Sequence, residues 1–273
     1  MIKQHPMSRV VLFALLTVLL LVTLLPFLVM LFLSTKDHLD ILIDFWAIPE
    51  QIKWANFSNA YDTVIRSIGN SLYVCFVTVL GVLILGSLAG FVFARHQFPF
   101  KNTLFFMLLI ILMIPGLLMV VPLYSLVSSL NLTQSYWGLI LPYLAGAQLL
   151  GILVCRSFFE SIPEELFEAA RMDGGSEFFL YRKIALPLSV SVLITIGIVT
   201  FLNVYNDYLW PLIVLESTQR TFAVAVVNLS SSGQKDLGLT FGAYILGSIP
   251  TFILLVFGMK YYVQGMLSGA VKS

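Results

Sequence analysis

Charged residues are scarce in this chain. Only 11% of its 273 residues are charged, 59% are hydrophobic, and the mean hydropathy is +0.96. Soluble domains carry about 25% charged residues, so this composition excludes an ordinary soluble protein and indicates a chain that lies in a lipid bilayer. No linker or charge block divides the sequence. We therefore expect residues 1–273 to form a single transmembrane domain without an attached soluble enzyme.

Cysteine and histidine are also rare. Cys75 and Cys155 fall within or at the ends of apolar stretches, and the three histidines are scattered along the chain. This distribution excludes a disulfide framework and predicts no metal site. A Gly-x-x-x-x-Gly-Lys-Ser/Thr phosphate-binding loop is absent as well. We therefore expect the chain to bind no cofactor, and any nucleotide chemistry must come from another subunit.

Six apolar stretches are long enough to cross a membrane. A hydrocarbon core about 30 Å thick requires about 20 helical residues. The first stretch is too long for a signal peptide, and Lys36 and Asp37 follow it in place of a small-residue cleavage site. The sequence thus predicts an all-α integral membrane protein whose six transmembrane helices lie at about 10–33, 71–93, 104–127, 137–154, 188–215 and 241–259.

Glycine and proline predict two local features of these spans. Gly86 and Gly90 form a Gly-x-x-x-Gly pair, which is typical of close helix packing in membranes. Pro115, Gly116 and Pro122 predict that the third span is kinked or broken.

The distribution of Lys and Arg predicts the orientation of the chain. Positive residues concentrate in cytoplasmic loops. With the amino terminus inside, ten Lys and Arg residues are cytoplasmic and five are outside, so we expect both termini in the cytoplasm. The cytoplasmic set is Lys3, Arg9, Arg95, Lys101, Arg156, Arg171, Arg182, Lys183, Lys260 and Lys272, and the outer set is Lys36, Lys53, Arg66, Arg220 and Lys235.

A polar segment at about 160–187 separates the fourth and fifth spans. Ser161 and Glu164 have the spacing of a capping box that starts a helix, and Gly174-Gly175 is a typical helix stop. Ser176 is placed to cap a second short helix that ends at Ala185. The pattern predicts a cytoplasmic helix-turn-helix whose apolar side chains are available for packing, namely Leu166, Phe167, Ala169, Ala170 and Met172.

Two partners are compatible with such a helix pair. An amphipathic helix can rest on lipid headgroups, but interfacial helices are usually rich in Lys and Arg. The first turns here carry Glu164, Glu165 and Glu168 instead. This acidity favours a protein partner over the membrane surface.

The same segment resembles a known family. Glu168-Ala169-Ala170, Asp173-Gly174 and Ile184-Ala185-Leu186-Pro187 resemble the signature loop of permease subunits of bacterial ABC importers, in residues and in spacing. Asn56-Phe57 and Asn206-Asp207-Tyr208 are similar to segments of the carbohydrate-uptake branch. Within that branch, the chain resembles the smaller permease of maltose-type systems.

The resemblance implies a set of partners. A permease of this family pairs with a second permease, rests on an ATPase dimer that uses ATP and Mg²⁺, and receives carbohydrate from an extracytoplasmic solute-binding protein. It also implies that the polar segment is the coupling loop that contacts the ATPase. The implied coupling residues are Glu168, Ala169, Ala170, Asp173 and Gly174.

Polar residues in the fifth span are candidates for the solute pathway. Asn203, Tyr205, Asn206 and Asp207 interrupt an otherwise apolar stretch, and a sugar in transit needs partners for its hydroxyl groups. The alternative is that Asp207 lies near the outer interface, beside an aromatic belt.

Other functions remain open at this level. A secondary transporter or channel would carry several paired ionisable groups within the bilayer, and only Asp207 qualifies. A membrane scaffold would use the helix pair only for recruitment. Within the resembled family, glycerol phosphate is the alternative solute, but no Lys or Arg lies in the middle of a span to bind a phosphate.

Overall fold

The chain forms two compact units in a computed structural model that describes residues 6–231 and 236–270. The first unit comprises Met1–Arg66 and Ala225–Ile249, and the second comprises Ser67–Val224 and Pro250–Ser273. Three residues of the charge count, Lys3, Lys235 and Lys272, lie outside the described residues.

Every regular element in the described ranges is helical. A π-helical turn at Tyr181–Ala185 continues the eighth helix, and a 3₁₀ turn lies at Ser217–Gln219. The α-helices are, in chain order, α1 (Pro6–Ser34), α2 (His38–Ile43), α3 (Ala55–Arg95), α4 (Lys101–Leu112), α5 (Gly116–Ser129), α6 (Trp137–Glu160), α7 (Glu164–Met172), α8 (Glu177–Leu180), α9 (Leu186–Leu188), α10 (Val190–Asn206), α11 (Leu209–Val214), α12 (Phe222–Ser231) and α13 (Leu237–Ala270).

Four of these helices, α1, α3, α6 and α13, are long and apolar enough to cross a membrane by themselves. Two bent pairs bring the number of possible spans to six, which agrees with the predicted architecture. The third span is broken, as predicted, with α4 and α5 inclined by 101°. Pro115 stands at the start of α5, where it has no backbone N–H to donate to the preceding turn.

The observed helices do not coincide with three of the predicted spans. The fifth was expected to run through 188–215, but α10 ends at Asn206 and α11 is a separate helix. The helix that contains the second span begins at Ala55, upstream of Ser71, and the helix that contains the sixth extends from Leu237 to Ala270. Hydropathy marks the lipid-facing part of a helix only, so polar helical turns beyond the bilayer look like loops in the sequence.

In the first unit, side-chain bonds to backbone carbonyls join the end of α1 to the start of α3. The Asn56 amide donates to the carbonyl oxygens of Ser34 and Lys36, at 2.9 and 2.8 Å. Lys36 is 1% exposed, and its Nζ donates to the carbonyls of Asp44 at 2.6 Å and Ala47 at 2.9 Å. A buried ammonium therefore organises the connection between α2 and α3.

In the second unit, glycines bring α3 and α6 close together. A Cβ on Gly86 would lie 3.4 Å from the backbone of Gly151, and one on Gly90 would lie 2.5 Å from the Cβ of Cys155. The Gly86–Gly90 pair thus packs helices, as its spacing predicts.

We expect Gly90→Ala to destabilise the protein because its methyl group would overlap Cys155, at a cost of about 1–3 kcal/mol. Gly69→Ala, in the same helix, is the control: nothing lies within 4 Å of its added Cβ. Thermal unfolding of the detergent-solubilised protein measures both. A Gly90→Ala variant as stable as Gly69→Ala would contradict the close packing of α3 and α6.

Candidate functional site

The polar segment after α6 forms two short helices joined by a glycine turn. Ser176 has an extended backbone, and its hydroxyl accepts a hydrogen bond from the Phe179 N–H at 3.3 Å, so it caps α8 as predicted. The prediction for Ser161 is wrong. Ser161 retains a right-handed helical backbone, and its hydroxyl donates to the Phe158 carbonyl at 2.6 Å, so it continues the last turn of α6 instead of capping α7.

Gly174-Gly175 ends α7 as predicted. Gly174 has φ of +82°, in the left-handed region that glycine adopts most readily. Its neighbour donates its N–H to the Ala170 carbonyl at 2.9 Å, and a Cβ on Gly175 would lie 2.7 Å from the same oxygen. The turn therefore requires glycine at the first position for its backbone angle and at the second for space.

An aromatic core lies beneath α7. Phe167 is 0% exposed, and its ring centroid lies 6.2 Å from that of Phe91 on α3. Phe91 also contacts Phe159 of α6 at 5.9 Å and Tyr181 at 5.5 Å. Phe167 is therefore not available to a partner, contrary to its prediction, because it anchors the helix pair to the ends of α3 and α6.

Ion pairs surround this core. The Arg95 guanidinium at the end of α3 donates to the Glu164 carboxylate. Arg171 donates to Glu164 at 2.9 Å and to Glu177 at 3.1 Å, so it links α7 to α8. These two carboxylates, Glu177 first, raise the pKa of Arg171 above its ordinary value.

The opposite face of the helix pair is exposed, as judged from residues 6–231 and 236–270. Among the predicted coupling residues, Glu168, Ala169, Asp173 and Gly174 are exposed and Ala170 is half-buried. Met172 is 88% exposed, and Leu166, Phe178 and Phe179 are also exposed. The structure thus brings the five predicted coupling residues together on one helix and its stop, next to exposed apolar side chains.

The predicted solute residues are divided between surface and core. Asn203 and Asn206 are exposed on α10. Tyr205 is buried and stacks between Phe201 at 5.2 Å and Phe222 at 5.9 Å. Asp207 accepts from the Tyr143 hydroxyl at 2.7 Å and from the N–H of Leu209, the first residue of α11, at 3.0 Å. Only the two asparagines are left facing outward from the chain.

A separate groove of about 740 Å³ lies in the second unit between α3, α10 and α13, and its lining is almost wholly apolar. It contains none of the predicted solute residues. Its lining includes Leu72, Phe76, Val79, Leu193, Gly197 and Phe257.

Sequence reasoning missed two polar anchors of the second unit. Arg95 was counted only as a positive loop residue, and the Tyr143–Asp207 hydrogen bond joins residues of different spans. A solitary Arg at the end of an apolar run is a sequence signal for the Arg95 anchor. No local pattern marks the hydrogen bond between Tyr143 and Asp207. Across the described residues, no group of three or more His, Cys, Asp or Glu side chains is placed to bind a metal ion.

The spans and the anchored helix pair define a multi-pass helical membrane protein, and its family follows from comparison with known proteins. Residues 83–268 match the binding-protein-dependent transport system inner membrane component family. The chain belongs to this family, which contains permease subunits of ABC transporters. Membership favours this class over a secondary transporter or channel.

Individual relatives agree with this assignment. A putative ABC transporter permease of a Caldicellulosiruptor species is 33% identical over 250 residues, covering 90% of this chain and 91% of the relative. The trehalose transport system permease SugB of Mycobacterium tuberculosis is 31% identical, covering 82% and 84%. A bacterial ABC transporter involved in alginate import shares the fold, with a TM-score of 0.77 at 18% identity, covering 96% of this chain and all of the other.

We expect Ser176→Ala to weaken the start of α8 by about 1 kcal/mol because the capping bond to Phe179 is lost. Ser161→Ala is the matched control, since its hydroxyl bonds to a carbonyl of the preceding turn and caps no helix. Hydrogen exchange of peptides covering 176–182 should become several-fold faster only in the first variant. Equal exchange in both would contradict the cap.

Proposed function

We propose that this chain is the permease subunit of an ATP-driven importer for a di- or oligosaccharide. Together with a second permease it encloses the translocation pathway, and it transmits the action of a separate ATPase. The observation that carries this proposal is the exposed face of α7, which presents Glu168, Ala169, Asp173 and Gly174 beside an exposed Met172.

The anchoring of α7 supports its role as the contact with the ATPase. Its buried face is held by the aromatic core around Phe167, so a force applied to the exposed face reaches the ends of α3 and α6. Small side chains at Ala169 and Ala170 permit close approach of a partner surface. The chain itself is not an enzyme in this scheme, because ATP and Mg²⁺ bind to the ATPase dimer.

A carbohydrate is the solute that the relatives favour. Relatives at about the same identity are named for trehalose and for arabinooligosaccharides. Another is named for sn-glycerol-3-phosphate. The residues at 71–93, 104–127, 137–154 and 190–206 include no Lys or Arg, which a phosphate in transit would need as a counter-charge. We therefore place neutral sugars before glycerol phosphate.

Asn203 and Asn206 are the proposed solute contacts of this subunit. Both are exposed on α10, and an amide group offers a donor and an acceptor to sugar hydroxyls. Tyr205 and Asp207 support the pathway indirectly, because Tyr205 packs in the core and Asp207 accepts hydrogen bonds from Tyr143 and from the first N–H of α11. An extracytoplasmic solute-binding protein delivers the sugar, and the second permease completes the pathway.

The proposed orientation places both termini and the α7–α8 pair in the cytoplasm. After Cys75 and Cys155 are replaced by Ala, a single cysteine at Glu50 or Glu216 should react with an impermeant thiol reagent in intact cells. A cysteine at Asn102 should react only after permeabilisation. If the cysteine at Asn102 is labelled in intact cells while those at Glu50 and Glu216 are protected, the proposed orientation is wrong, and α7 cannot contact a cytoplasmic ATPase.

Uptake by the reconstituted importer complex tests the function and the solute site together. The parent complex should accumulate a radiolabelled di- or oligosaccharide, such as trehalose or arabinotriose, in an ATP-dependent manner. Asn203→Leu should lower uptake about tenfold, because a sugar hydroxyl that loses its partner at membrane depth costs about 1–3 kcal/mol.

Asn59→Leu is the matched control, since Asn59 is exposed on α3 and lies outside the proposed site. Its uptake should equal that of the parent. Uptake of glycerol phosphate without uptake of any sugar would overturn the proposed solute class. Parent-level uptake by Asn203→Leu would remove Asn203 from the pathway and assign the solute contacts to the second permease.

A further inference from the structure

Arg95 joins segments that are far apart in the sequence. It is the last residue of α3, and its side chain is 7% exposed. Its Nη2 donates to the Phe159 carbonyl at 2.5 Å and to the Ile162 carbonyl, while Nη1 donates to the Glu164 carboxylate. The guanidinium carbon also lies 4.2 Å from the ring centroid of Phe167. One side chain thus bridges the end of α3, the end of α6 and the start of α7.

The position of this guanidinium suits the electrostatics of the two helix ends. The last carbonyls of a helix lack intrahelical donors, and a cation is favourable beside them. Arg95 supplies hydrogen-bond donors and a positive charge to the end of α6. Its other nitrogen contacts Glu164, an acid in the first turn of α7, where negative charge is favourable. A planar guanidinium has enough donors in a fixed fork for all three acceptors, whereas a lysine ammonium lacks this geometry.

The polar contacts continue through α8 and return to the chain next to Arg95. Glu164 bonds Arg171, and Arg171 bonds Glu177. The Glu177 carboxylate lies 3.4 Å from Nε2 of His96, the residue after Arg95. Exposed ion pairs of this kind contribute little one by one. Arg95 is the buried member of the network, so it fixes the position of the others.

We propose that Arg95 is the positioning residue that makes α7 move together with α3. It touches neither solute nor nucleotide, and it acts by holding Glu164 and the end of α6 against the end of α3. This inference rests on the proposed docking of α7 on an ATPase. When the ATPase displaces α7, the guanidinium transmits the displacement to α3, a helix that crosses the bilayer.

The first test measures the distance between α3 and α7 in the assembled complex. Nitroxide labels at Val92 and Glu165, with the native cysteines replaced by Ala, report this distance by pulsed electron paramagnetic resonance. In the parent, the distribution should be narrow and unchanged by ATP. In Arg95→Lys and Glu164→Gln it should broaden and shift when ATP binds, because α7 then moves without α3.

The second test measures the sugar accumulated per ATP hydrolysed in proteoliposomes, with the sugar that the parent transports. Arg95→Lys and Glu164→Gln should lower this ratio about fivefold or more, since each loses charge-assisted hydrogen bonds. The ATPase content of the complex should remain unchanged. An unchanged ATPase content would show that the lower ratio comes from a misplaced α7 and not from a complex that has lost its ATPase.

A neighbouring ion pair provides matched controls. Arg156 donates to Glu160 at 2.8 Å within α6, and neither side chain contacts α7 in an observed ion pair. Arg156→Lys and Glu160→Gln should therefore leave both the distance distribution and the transport ratio at parent values.

Parent-like distances and ratios in both Arg95→Lys and Glu164→Gln would overturn the positioning role. The Glu164 side chain is 47% exposed, so we expect Glu164→Gln to fold. If Arg95→Lys fails to assemble, the result for Glu164→Gln decides whether Arg95 has the positioning role. If the parent complex transports no sugar, the proposed solute class fails, while the distance measurement still decides the role of Arg95.

Discussion

The absence of water in the bilayer core is the constraint on which the rest of this structure depends. A backbone or side-chain polar group in lipid must find its partner within the protein. The described chain is accordingly helical, and several hydroxyl groups on its apolar helices bond to carbonyls of the preceding turn, as Thr195 does with Ser191 at 2.9 Å and Ser87 with Leu83 at 2.5 Å. Asp207 obeys the same constraint, because Tyr143 and the first turn of α11 together satisfy its carboxylate.

Close packing in the second unit follows from another property of lipid, which provides no hydrophobic driving force between helices. Association there relies on van der Waals contact, which small residues permit. Gly86, Gly90 and Gly151 let the backbones of α3 and α6 approach. At the ends of this pair of helices, the Phe91 ring of α3 meets the Phe159 ring of α6 edge to face and also packs against Phe167 of α7. Packing within lipid thus determines where the polar helix pair is attached.

The helix pair shows how charge is used in a chain that has little of it. Arg95, Glu164, Arg171 and Glu177 are concentrated at the junction of α3, α6, α7 and α8. The buried guanidinium of Arg95 and the aromatic core hold one face of α7, and the face with Glu168 and Asp173 is left exposed. The proposed docking of α7 on an ATPase requires both properties in one element: firm attachment to the spans and a free surface for the partner.

The sequence by itself determined the membrane class, an architecture of up to six spans and some local stops and starts, although not the start of α7, which Ser161 does not cap. Proline at 115, glycine at 174 and serine at 176 act through the conformation of their own and adjacent residues, so their effects were predictable. Tertiary structure alone decided which faces are covered. Phe167 and Tyr205 became core residues and Arg95 became a three-way anchor because other helices pack against them. Hydropathy and spacing describe each helix separately, and they do not specify the neighbours that give a side chain its partner.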